Sequence, residues 1–338
     1  MRETICFDDV LLVPQYSDIL SRKDISTSVA MNGRTYESPI ISSPMDTVTE
    51  TQMALAMSNL GGLGIIHRYN TIQQQSKLIH MCHAEGAENI GAAIGVSGDY
   101  LERAKSSVMA GANVLCVDIA HGHHCLMKNA LKNLRSMFDD TVTIIAGNVA
   151  TLTAFNDLSD WGAHAVRVGI GGGSICSTRI KTGHGMPTLQ SVIDCSKSDR
   201  DAILIADGGI KTSGDVAKAI AGGADFVMLG SMLAGTEETP VNKVWSPEKG
   251  AWVYPYRGMA SVEAQIDWRG HTASVEGVAS SVVDKGTVKD AVQDVVKGLR
   301  SGMSYSGSKN ITEFQAKADF VRQTGSSQVE SSTHINRL

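Results

Sequence analysis

The 338-residue chain has no run of the roughly 18 uninterrupted apolar residues that a membrane-spanning helix requires. Its opening residues, Met1 to Ile5, lack the apolar stretch of a secretory leader, and a cytoplasmic protein away from membranes is expected. Positive charge is not in surplus either. Thirty Lys and Arg face 35 Asp and Glu, a formal net charge of −5, which offers DNA or RNA no basic footprint. The six cysteines (Cys6, Cys82, Cys116, Cys125, Cys176, Cys195) include no CxxC pair, so neither a zinc site nor a disulfide framework is indicated. Most read as reduced core filler, Cys116 and Cys195 above all, because they fall inside strand or helix periodicity.

What is present is glycine. Thirty-four residues, about one in ten, exceed the usual ~7%, and strand-to-helix loops are where the surplus belongs. Eight short apolar or β-branched runs recur: Pro39 to Ser43, Leu63 to His67, Ile90 to Ile94, Val114 to Asp118, Thr143 to Ala146, Ala165 to Val168, Ile203 to Ala206 and Phe226 to Leu229. Segments with apolar residues at three- and four-residue spacing separate them, such as Ile72 to Cys82, Cys125 to Phe138 and Ser213 to Ala221. Strands alternating with amphipathic helices predict right-handed βαβ units and a parallel sheet. An open doubly wound sheet has the same local pattern, but eight units are the number that closes a (β/α)₈ TIM barrel. Such barrels reach 250 or more residues as one domain, so a single elaborated domain over 1–338 is expected.

Two stretches depart from the repeat. Residues 246–285 are rich in Gly, Ser and charge, carry Trp252, Tyr254, Tyr256 and Trp268, and are too long for an ordinary connection. An active-site flap is the expectation. The polar tail, 321–338, is expected to be mobile or held by a neighbouring subunit.

In a barrel the chemistry gathers at the C-terminal ends of the strands. Those positions hold Met45, Asp46, His67, Asp118 with His121, Asn148, the loop Gly169 to Arg179, Asp207 to Gly209, and Gly230 with Ser231. In the loop Gly-Ile-Gly-Gly-Gly-Ser-Ile-Cys-Ser-Thr-Arg, glycines let backbone N–H groups approach an anion, and Ser174 adds a hydroxyl. The glycines ending the seventh and eighth strands take the barrel's recurrent phosphate position. Cys176 follows the loop beside Arg179, whose positive potential would favour a nucleophilic thiolate.

Several stretches, in order, resemble the signatures of the IMP dehydrogenase and GMP reductase family: Phe7 to Pro14, Ser43 to Glu50, Ala146 to Val149, the Cys176 loop, Ala206 to Ile210 and Tyr256 to Met259. The resemblance covers essentially the whole chain. It implies that Cys176 attacks C2 of a purine nucleotide monophosphate, and that Ser174, Gly208, Gly209, Gly230, Ser231 and Tyr256 hold its phosphate. It assigns Asp207 to the ribose, and Ser43, Met45, Gly258, Met259 and Glu276 to the base, with Asn148 and Arg167 close by. Asp118, Ile119, Ala120 and Arg179 fall to the nicotinamide cofactor, NADPH or NAD. Carbonyls of Gly171, Gly173 and Cys176 match a monovalent-cation (K⁺) site, to which Glu330, Ser331 and Ser332 of a neighbour in a homotetramer would add. Gly172 stands where the family has proline or a similar residue, which is expected to loosen the loop.

Within the family, dehydrogenases activate water with an Arg-Tyr pair on a long flap. Between Met259 and Glu276 this chain has no such dipeptide, although Arg269 is available. Nor is there room between Asn70 and Gly95 for inserted regulatory modules, whose absence is usual in reductases. Ser43 to Met45, Tyr256 to Met259 and the tail near His334 read closer to dehydrogenases. The balance favours a GMP reductase in which Thr178 and Glu276 protonate the departing ammonia. An IMP dehydrogenase is the alternative. Outside the family stand a non-catalytic nucleotide-binding barrel and a phosphosugar isomerase or aldolase, which would want a catalytic lysine or paired carboxylates at strand ends; Asp46, Asp118 and Asp207 could serve, but no strand ends in lysine.

Overall fold

The computed structural model describes residues 2–331. Eight parallel strands close into a barrel: β1 (Ile40–Ser42), β2 (Leu63–Ile66), β3 (Ile90–Ile94), β4 (Val114–Asp118), β5 (Thr143–Val149), β6 (Ala165–Val168), β7 (Ile203–Asp207) and β8 (Phe226–Leu229). β8 pairs with β1, Val227 opposite Ile40, and this closure excludes the open doubly wound sheet. Around the barrel run α1 (Thr51–Asn59), α2 (Ile72–Ala84), α3 (Tyr100–Met109), α4 (Cys125–Phe138), α5 (Leu152–Asp160), the short α6 (Thr178–Thr182), α7 (Thr188–Cys195) and α8 (Ser213–Ala221). After the flap helix α9 (Val262–Arg269), α10 (Val288–Tyr305) completes the ring against α8 and α1. Among the described residues no helix is long and apolar enough to cross a membrane.

The strands read as continuous apolar runs because both faces are buried. Ile41, Leu63, Ile65, Ala93, Cys116, Ile145, Ile205 and Met228 form one cluster inside the barrel. Their alternates, Ile40, Ile66, Ala92, Leu115, Val117, Ile144, Val166, Leu204 and Val227, join the larger cluster under the helices. That is the two-residue period of a pleated strand.

A hairpin ahead of β1, Val29–Met31 paired with Arg34–Tyr36, was not anticipated from the sequence. It turns at Asn32 and Gly33, whose φ values of 47° and 75° fit a type I′ turn. Met31 and Tyr36 enter the barrel-interior cluster, and the Tyr36 ring meets Phe226 edge-on at 5.3 Å. Phe226 opens β8, so the hairpin plugs the end opposite the strand C termini.

The described part of the tail packs against its own chain. Phe320–Arg322 pairs antiparallel with Val10–Leu12 of the same chain, and Thr324 caps the helix Gly325–Glu330. Gln323 donates from Nε2 to the Asp8 carbonyl at 2.7 Å. Glu330 ends this helix and Ser331 follows it; Ser332 and His334 lie outside the described residues.

Residues 246–285 are also more regular than their composition indicates. β9 (Val244–Ser246), β10 (Ala251–Arg257) and β11 (Ala279–Val283) form an antiparallel sheet, with α9 between its last two strands. Trp245 and Trp252 pair across β9 and β10 on an exposed face, which explains the missing amphipathic signal.

Candidate active site

A cavity of about 530 Å³ opens at the C-terminal ends of the strands. Its floor is an ion-paired network. Arg167, on β6 and only 6% exposed, donates from Nη1 to Asp118 Oδ1 at 2.6 Å and from Nη2 to Asp207 Oδ2 at 2.8 Å. Burial opposes its charge, but Cys116, Asp207 and Asp118 outweigh that effect and hold Arg167 above the ordinary arginine range. A buried cation shared between two carboxylates fixes both. Asn148 Nδ2 adds a bond to Asp207 Oδ2 at 2.7 Å and another to the Gly169 carbonyl at 2.9 Å. Asp207 Oδ2 is thus fully engaged, while Oδ1 accepts nothing from the described residues and belongs to a cavity-lining side chain. That is the geometry of an acceptor for a ligand hydroxyl.

The cysteine loop is clamped to the flap as a strand-like pair. Ser177 N donates to the Glu276 carbonyl at 2.8 Å and Val278 N to the Ile175 carbonyl at 3.0 Å, with Cys176 bridged to Gly277. This docking brings Glu276 to the thiol. Cys176 Sγ lies 3.2 Å from Thr178 Oγ1, which donates to Glu276 Oε2 at 2.8 Å; Ser274 Oγ steadies Glu276 Oε1 at 3.1 Å. A thiol proton therefore has a continuous path through one hydroxyl to a carboxylate.

Arg179 does not take the place expected for it. Its guanidinium donates to the Met186 carbonyl at 2.7 Å, and its stem fills the space beside Gly171 and Gly185, where a Cβ on either would sit 2.7 Å from Arg179 Cγ. It does not line the cavity. It braces the loop, and the partner beside the sulfur is the Thr178 hydroxyl.

At Gly172 the loop closely approaches a side chain of α7, Thr188. A Cβ there would stand 2.4 Å from Thr188 Oγ1, itself buried and without a hydrogen bond. The glycine lets the loop seat on α7. Gly172→Ala is expected to lower kcat/KM about tenfold, and adding Thr188→Ala to recover most of it. Additive losses in this double-mutant cycle would show that the two residues do not couple.

Packed against Gly172 and Gly173 of the cysteine loop, Gly208 and Gly209 adopt φ of 90° and 78°, and Gly230 backs onto Tyr256, whose hydroxyl would lie 3.1 Å from a Cβ at residue 230. Burial pushes the Tyr256 phenol up to about 12 despite its bond with Ser174, so it remains a donor at neutral pH. Ser43, Met45, Gly258 and Met259 also line the cavity, as do Asp118, Ile119, Ala120, Gly171, Gly173, Ser174 and Ser231. Three strand-end residues lie outside the cavity. His67 pairs with Glu50 at 2.8 Å, Asp46 is held by Arg257 at 2.7 Å, and His121 is exposed.

Other lining residues were not foreseen. Tyr69 and Trp268 meet edge-on at 5.3 Å, with the Arg68 guanidinium 5.1 Å from the Tyr69 ring and that of Arg269 4.1 Å from the Trp268 ring. Arg68 and Tyr69 sit just past the end of β2, where a wider strand-end window would have caught them. Gln265 carried no sequence signal. Its side chain, 2% exposed, ties α9 to the Ala260 and Ser274 carbonyls and to Ala273 N.

A closed barrel whose strand ends present glycine turns beside a cysteine hydrogen-bonded through one hydroxyl to a carboxylate has the form of a barrel enzyme with its site at the strand C termini. Residues 4–334 match the family described as the IMP dehydrogenase / GMP reductase domain. The chain is 34% identical to an inosine-5′-monophosphate dehydrogenase of Nitrosopumilus maritimus, covering 98% of each chain. It is 32% identical to a GMP reductase of Leishmania major, covering 99% of this chain and 98% of that one. A crystal structure of a GMP reductase C318A variant from Trypanosoma brucei, in complex with guanosine 5′-monophosphate, superimposes with a TM-score of 0.94 at 31% identity, over 100% of this chain and 99% of that one. The chain belongs to the IMP dehydrogenase / GMP reductase family, purine nucleotide oxidoreductases that use a nicotinamide cofactor. Alignment with the N. maritimus dehydrogenase runs over 472 residues and with the L. major reductase over 483, against the 338 of this chain. Segments absent here thus occur beside both names, and their absence does not separate the two activities.

Proposed function

We propose that this protein is a GMP reductase, converting GMP and NADPH to IMP, ammonia and NADP⁺ through a covalent Cys176–purine adduct. The observation that carries the reading is the Cys176–Thr178–Glu276 relay. As the Cys176 thiol loses its proton and its sulfur bonds to C2 of the purine, that proton passes through Thr178 to Glu276, and the same pair delivers it to the departing amine. Loss of ammonia leaves an adduct with an electrophilic C2. NADPH, when bound, supplies the hydride that reduces this carbon, and the C–S bond breaks to regenerate the thiolate. The Asp118–Ala120 rim and the Tyr69–Trp268 wall suit the cofactor: a carboxylate edge for ribose hydroxyls and aromatic surface for a flat ring.

The second reading is an IMP dehydrogenase, favoured by 38% identity to one from Cryptosporidium parvum over 98% of this chain. It needs a group to activate water, and the flap arginine, Arg269, is stacked on Trp268. The deciding test is the paired assay of GMP plus NADPH against IMP plus NAD, each with and without potassium. Steady GMP reduction with at most a burst of NADH from IMP is expected. Steady IMP oxidation faster than GMP reduction would overturn the assignment. The potassium arm tests the carbonyls of Gly171, Gly173 and Cys176 as a cation site, and light scattering on the full chain tests the homotetramer.

In this reading Asp207 holds the ribose through Oδ1. Asp207→Ala is expected to raise the KM for GMP at least tenfold and leave that for NADPH nearly unchanged, because each hydrogen bond to a charged group is worth roughly 1.5–3 kcal/mol. An equal rise in both would assign Asp207 to the floor network alone.

A further inference from the structure

Lys285 stands just beyond β11, where the flap returns to the barrel. Its Nζ donates to the Ser231 carbonyl and, at 3.4 Å, to that of Met232. Its backbone N donates to the Gly235 carbonyl at 2.8 Å. Gly235, at φ 88°, would put a Cβ 2.7 Å from the Val283 carbonyl, so strand and turn are closely packed. Lys285 makes no ion pair among the described residues; the adjacent Asp284 is taken by Lys243 at 2.8 Å.

The C=O and N–H of one trans peptide point in opposite directions. With the Ser231 carbonyl on Lys285, the N–H of Met232 is turned to the other side. Neither it nor the N–H of Ser231 donates a hydrogen bond among the described residues, whereas the Gly230 carbonyl accepts from Leu233 N at 3.0 Å and Ala234 N at 2.8 Å. Ser231 and Met232 are both part-buried, and these N–H groups flank the part of the cavity lined by Gly230 and Ser231.

We infer that Lys285 is the positioning residue of a phosphate cradle: its ammonium holds and polarises the Ser231–Met232 peptide so that adjacent N–H donors face the anion. The inference rests on the nucleotide reading above and extends it to a residue outside the cavity. Lys285 as a residue is exposed, but burial of its ammonium lowers its pKa, as expected of a cation whose partners are dipoles only. A bound phosphate dianion supplies the missing counter-charge.

The test compares Lys285→Arg, Lys285→Gln and Lys285→Met in the full chain. KM for GMP should rise in that order, by roughly tenfold or more for Met, with kcat within about a factor of three and KM for NADPH unmoved. Calorimetry with GMP and with guanosine gives a readout besides turnover: K285M should weaken GMP binding and spare guanosine. Equal weakening of both, or a wild-type preference for GMP that K285M and K285Q leave intact, overturns the role of Lys285 alone. A wild type that does not distinguish GMP from guanosine overturns the phosphate reading and the inference with it.

Discussion

Cys176→Ser is expected to abolish turnover while GMP still binds. The glycine turns, Tyr256 and Asp207 that would hold the nucleotide lie on other strands from the sulfur and do not depend on it. Serine at 176 keeps a hydrogen bond to Thr178 but is a far weaker nucleophile, because its hydroxyl is not ionised at neutral pH. The C2 adduct cannot form, and neither reduction of GMP nor oxidation of IMP should proceed. Steady-state assays of both reactions and calorimetric titration with GMP give the two halves of the result. Retention of more than about a tenth of the wild-type rate, a change of under ~1.4 kcal/mol in the barrier, would remove Cys176 from the chemistry.

Glu276→Gln should have the next largest effect, and it also reports on direction. The amide can still accept from Thr178 and lie beside Ser274, so the loop geometry survives. It cannot accept a proton. A lost general acid or base costs typically 10²–10⁴-fold, and in a reductase the loss should fall on kcat at the deamination step, before hydride transfer. Rapid-quench measurement of ammonia against NADPH consumption should show both suppressed together. Ammonia released at the wild-type rate with only NADPH oxidation slowed would place Glu276 in cofactor binding. A variant whose GMP reduction persists would return it to the role of a solvated flap carboxylate.

The most legible part of the molecule was its barrel. Each strand lies buried on both faces, so its apolar run needs no tertiary information to stand out, and all eight runs match their strands to within a few residues. β5 is the exception. It runs on to Val149 through a register irregularity between Gly147 and Val149, a departure that depends on its neighbour β6 and leaves no mark in its own sequence. The cysteine loop was legible too, since clustered glycines are costly in a chain unless backbone must approach something closely.

The amino-acid sequence by itself determined the strand and helix periods, the count of eight, and the residue types at each strand end. Those are local properties, set by the two- and 3.6-residue repeats and by the conformations glycine permits. Closure, and everything that depends on which distant segments meet, was decided by the tertiary structure alone. Thr178 and Glu276 are 98 residues apart, and only the pairing of the cysteine loop with residues 276–278 makes them one relay. The same kind of contact turned Arg179 from the thiol to Met186, seated Gly172 against Thr188, tied the tail strand to Val10–Leu12, and set Lys285 behind Ser231. A side chain's type is written in the sequence, but its partner is chosen by packing, because a hydrogen bond acts over about 3 Å and the chain brings such atoms together only once the barrel has closed.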